Sequence, residues 1–170
     1  MNKRSKLLKE YFNDLINESE RGCVIVAAAM IEDVISNMID DSLLPPLNSE
    51  DQILAKDSSF SFKINLAYRI GLLSEEAAKS FHLIRKIRND FAHKRENANF
   101  NSQSVKERVK ELFNLAKPII DSFKQDMSEN NIGYEEEGIF DTLGYQGAFS
   151  IFVAYTISYL AEKYENKIYK

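Results

Sequence analysis

The sequence predicts an all-α fold, a single helical-bundle domain of about six helices, and three observations lead there. Apolar residues recur every three or four positions in several separate stretches. Between those stretches stand prolines, glycines and clusters of Ser, Asn and Asp, the residues that stop and start helices. No segment alternates apolar and polar residues as a half-buried strand does, and neither an internal repeat nor a sustained heptad run is present. With 170 residues, 44% of them hydrophobic, the chain is long enough for one core and too short to divide comfortably into two. The expected layout of residues 1–170 is a core over 1–127, an acidic glycine-containing connector over 128–147 and a C-terminal helix over 148–168.

The elements follow in order. Leu7, Leu8, Tyr11, Phe12, Leu15 and Ile16 fall at helical spacing and predict a first helix over 4–18, ended by the polar stretch Asn17 to Glu20. Arg21 to Asp40 carries Val24, Ala27, Ala28, Ile31, Ile35 and Ile39 on one broad arc, which marks a central, largely buried helix. Glu32 lies on the margin of that arc, where a carboxylate needs a cationic partner. Pro45-Pro46 ends this helix, and 47–59 reads as a surface loop. Phe60 to Ile70 is a short helix with Ser58 or Ser59 as its N-cap and Gly71 in the left-handed position beyond its end. Ser74, Glu75 and Glu76 then open a helix that runs to about Lys94 and pairs centrally with the helix over 21–40. Ser104 and Glu107 read as a capping box for the next helix, and Pro118 as a kink or restart in it. In the last helix Phe149, Phe152, Val153, Ile157 and Leu160 point inward.

Composition narrows the functional classes. The single cysteine, Cys23, and two histidines offer no Cys/His framework for structural zinc, so no metal or cofactor is expected. A reducing cytoplasm fits, with Cys23 a small core residue. Asp14 and Glu18 interrupt any signal-peptide pattern, and the most apolar run, Ala148 to Leu160, is too short for a membrane span. Net charge is −4, but Lys79 to Lys110 holds nine basic residues against three acidic ones, followed by an acidic stretch over 121–147.

Chemistry concentrates in Phe81 to Arg95. On a helix Phe81, Ile84, Ile87 and Phe91 share one face, His82, Arg85, Asn89 and His93 form a stripe on another, and Arg88 projects at the edge of the apolar arc. Arg88 therefore either meets Glu32 in a structural ion pair or stands at the lip of a cleft. Imidazole exchanges protons near neutral pH, which suits a ribose 2′-hydroxyl or a leaving 5′-oxygen. A guanidinium suits the phosphate, since its fork binds two nonbridging oxygens without a metal. The candidate catalytic set is Arg88, Asn89 and His93, with Arg85, Lys86, Lys94 and Arg95 as RNA-binding candidates. Five residues on a helix correspond to about 140° of rotation, so Arg88 and His93 converge only if the last turn unwinds or two copies of the helix meet.

Arg88-Asn89 followed by His93 resembles the Arg, polar, then His motif of the HEPN superfamily. A wider stretch, roughly 19–95, resembles the mannitol operon repressor-like (MltR-like) family through Arg21-Gly22, Ala27-Ala28-Ala29 with Asp33, Ser61 to Ile64, Leu66-Ala67-Tyr68, Gly71 to Ser74 and Ile84 to His93. The first resemblance implies an all-helical, metal-independent endoribonuclease that acts as a homodimer with a composite site, of the kind found in toxins or phage-defence effectors. A regulatory partner such as an antitoxin would then control it. The second implies a noncatalytic transcriptional regulator or protein-interaction module, in which the Arg/His block is structural; no DNA-reading helix-turn-helix pattern accompanies it.

Overall fold

A computed structural model of the protein describes residues 3–48, 58–93, 98–116, 120–121, 125 and 138–168. Among these it has six helices and no strand: α1 (Lys3–Ile16), α2 (Glu20–Asp40), α3 (Phe60–Arg69), α4 (Glu75–His93), α5 (Gln103–Leu115) and α6 (Ile139–Ile168). They enclose one continuous hydrophobic core to which every helix contributes.

Local chemistry accounts for several helix ends. Ser19 caps α2 by accepting from the Gly22 amide, Ser59 caps α3 through the Phe62 amide, and Ser74 caps α4 through the Ala77 amide. Gly71 has φ 79°, and the bonds from Leu72 N to Ala67 O and from Gly71 N to Tyr68 O close α3 in a Schellman motif, as the sequence predicts. The expected capping box at Ser104 and Glu107 does not form. Ser102 holds the N-cap position of α5 instead, and Glu107 accepts from Gln103 Nε2 at 2.8 Å.

α2 and α4 pack together as expected, with Cys23, Val24, Ala27, Ile31, Phe81, Ile84, Ile87 and Phe91 all buried. They run antiparallel, since Arg21 at the start of α2 reaches Ala92 at the end of α4. The place of α6 differs from expectation. From Gly147 to Leu160 nearly every residue is buried, so this helix is enclosed on almost all sides and belongs to the centre of the bundle. α1 lies antiparallel along it: Arg4 bonds Glu162 at 3.1 Å and the Tyr155 hydroxyl, and its guanidinium lies over the Tyr155 and Tyr159 rings. That contact leaves Tyr155, which is buried, no face for stacking a base.

The expected connector over 128–147 also needs correction. Residues 139–147 belong to α6, which bends at Gly144 (φ 66°, ψ 179°) and resumes at Tyr145. Residues 128–137 of that connector, the Pro118 kink, Lys94 and Arg95 lie outside the described residues. α2 has the length and apolar composition of a membrane-crossing helix, but its inner arc is core packed against α3, α4 and α6.

Candidate functional site

The last two turns of α4 carry the residues singled out by chemistry. α4 remains helical through His93, so the last turn does not unwind, and Arg88 and His93 keep the separation of about 140° that the helix imposes. Within one chain they do not converge. His93 is exposed, whereas Arg85, Arg88 and Asn89 are half-buried. Lys86 is exposed on the outer side.

The expected ion pair between Glu32 and Arg88 is absent. Glu32 Oε1 accepts from Lys63 Nζ of α3 at 2.8 Å, with both side chains largely withdrawn from solvent. The antiparallel register gives the reason. Arg21 is level with Ala92, so Glu32 lies roughly 16 Å along α2 from that level and Arg88 only about 6 Å along α4, at a rise of ~1.5 Å per residue. Arg88 itself makes no hydrogen bond or ion pair among the described residues. Arg85, one turn earlier, has its Nε buried without a partner. Two partly dehydrated guanidiniums thus lie without acceptors on neighbouring turns of one helix, where burial leaves their donors poorly solvated.

Neighbouring charges are engaged. Asp90 is ion-paired with Arg108 of α5, and Lys106 and Lys110 stand over the Tyr145 ring, so the basic residues of α5 are occupied within the fold rather than forming a free patch. His82 is half-buried and its Nε2 lies 2.9 Å from Asn65 Oδ1 of α3. Burial, and then the charges of Arg85 and Lys86, hold its pKa below the ordinary imidazole value. Cys23 is a core residue: burial pushes its thiol up to about 11, and its Sγ lies 3.3 Å from Ser150 Oγ, so it offers no thiolate.

Sequence reasoning named Arg21 only through the family resemblance and assigned no partner to the start of α2. Glu20 Oε2 accepts from the Phe100 amide at 3.0 Å, and Arg21 Nη2 donates to the Ala92 carbonyl at 3.1 Å. Phe100 is buried between Phe91 and Phe149, with ring centroids 5.4 and 5.5 Å away. The signal available was position alone, since both residues stand in the first turn of an antiparallel neighbour. Among the described residues no three His, Cys, Asp or Glu side chains are grouped as metal ligands.

No protein-family model, curated protein or solved structure matches this chain.

Proposed function

We propose that the protein is a HEPN-type endoribonuclease that cleaves RNA at a composite site in a homodimer. The observation that carries this reading is Arg88: half-buried, free of any carboxylate among the described residues, and five residues before an exposed His93 on the same helix. A structural arginine would have used its fork on a neighbour. One held without an acceptor suits an anion that arrives from outside, and RNA phosphate fits its geometry. Asn89 and Arg85, half-buried on the same helix, support the strand, with Lys86 exposed on it.

In this reaction the 2′-oxygen bonds to phosphorus as the P–O5′ bond breaks. The 2′-hydroxyl loses its proton, the 5′-oxygen gains one, and 2′,3′-cyclic phosphate and 5′-hydroxyl ends remain. His93 exchanges one of these protons and Arg88 holds the nonbridging oxygens as their charge grows. Such an activity suits a toxin or phage-defence effector restrained by a partner protein.

The test is incubation of the purified protein with unstructured RNA in EDTA, with analysis of the ends formed. Cyclic phosphate ends are expected from wild type and not from His93→Ala or Arg88→Ala. No cleavage by wild type, or cleavage unchanged in His93→Ala, would leave the noncatalytic regulator suggested by the MltR-like resemblance as the better reading.

A further inference from the structure

The first turn of α2 holds the chain on both sides of His93. Its own position is fixed from beneath: Gln146 Nε2 of α6 donates to the Glu18 carbonyl at 3.0 Å, Ser19 caps the turn, and Cys23 N bonds Ser19 O at 2.7 Å. A Cβ at Gly22 would stand 2.4 Å from Glu18 Oε2, the movable end of an exposed side chain, and 3.0 Å from the capping Ser19 Oγ. From this platform Glu20 takes the Phe100 amide and Arg21 takes the Ala92 carbonyl. Ala92 immediately precedes His93, and its carbonyl is one of the last four of α4, which have no acceptor role within the helix. A guanidinium there also meets the negative end of the helix dipole.

We propose that Arg21 is a positioning residue for His93, fixing through the Ala92 carbonyl the direction in which the imidazole leaves the end of α4. The role as a helper of catalysis rests on the ribonuclease reading; the mechanical hold on His93 does not. Arg108 of α5 ties the same turn through Asp90, three residues before His93, whereas Arg21 is the side chain bonded to the carbonyl next to His93 among the described residues. Arg21 is itself exposed, and its replacement removes no core contact.

The experiment compares the full-length wild type with Arg21→Ala and Arg21→Lys. Without RNA present, the His93 ring resonance and amide exchange of residues 90–93 are followed by NMR. Arg21→Ala is expected to shift the ring resonance and raise exchange severalfold, and Arg21→Lys to restore both in part. With RNA, kcat in Arg21→Ala should fall about tenfold or more while KM stays within about twofold, as misplacement of a reacting group predicts. An unchanged ring resonance and unchanged exchange in Arg21→Ala overturn the proposal. So does an unchanged kcat in a wild-type background that cleaves RNA. A wild type that cleaves no RNA sinks the nuclease reading alone, since the resonance and exchange measurements still decide whether Arg21 holds His93.

Discussion

A charged side chain in a partly dry seam is defined by what it meets, and Glu32 and Arg88 meet different things. The Glu32 carboxylate lies 2.8 Å from Lys63, with side chains 27% and 15% exposed. Such a pair gives back only part of what its dehydration costs, so its net coupling is modest. A double-mutant cycle on Glu32→Ala and Lys63→Ala, read by urea unfolding, should give a coupling of about 1 kcal/mol. The same cycle on Glu32 and Arg88 should give a coupling near zero, because the register holds them on different levels of the bundle. A larger Glu32–Arg88 coupling than Glu32–Lys63 coupling would show that α2 and α4 are set differently against one another. The contrast also separates the two arginine roles: Arg88→Ala should cost little stability even where it abolishes cleavage.

Each glycine with positive φ sits where a helix changes direction. Gly71 ends α3 and Gly144 bends α6, and neither has a heavy atom within 4 Å of where a Cβ would stand. The penalty for a side chain is therefore backbone strain alone. At φ 66° and ψ 179° Gly144 occupies a region that is essentially glycine's, so Gly144→Ala should lower the unfolding free energy by about 1–3 kcal/mol. A loss under about 0.5 kcal/mol in denaturant titration would mean that α6 runs straight when allowed to. These two glycines also mark how far the sequence could be read. Gly71 was legible because an apolar period stops there and a new cap, Ser74, follows at once. Gly144 was not, because four glycines and an acidic run between 128 and 147 read as a connector and hid the first turn of α6. Periodicity likewise gave the face on which Glu32 and Arg88 stand. It carries no information about the level at which one helix meets the next, so the partners of Lys63 and Arg21 could not be read from it.

The bundle as a whole sets a geometric limit on the candidate site. α4 is helical through His93, and α2, α3 and α5 pack around it, so no rotation of the helix end brings Arg88 and His93 together in one chain. Under the proposed dimer the limit falls away, since a two-fold axis that sets Arg88 of one copy against His93 of the other gives each dimer two such sites. On α2, Ile25 and Ala29 are exposed while Val26 and Met30 are half-buried. The composite arrangement predicts complementation between inactive proteins. Arg88→Ala and His93→Ala variants, each without activity alone, should regain cleavage when mixed and allowed to exchange subunits. Random exchange makes half of the dimers mixed, and each mixed dimer rebuilds one of its two sites from the intact Arg88 of one chain and the intact His93 of the other. Recovered activity should therefore approach about one quarter of wild type, and it should grow with the time constant of subunit exchange. Sites completed within single chains would recover nothing at any mixing ratio, and that outcome removes the composite site.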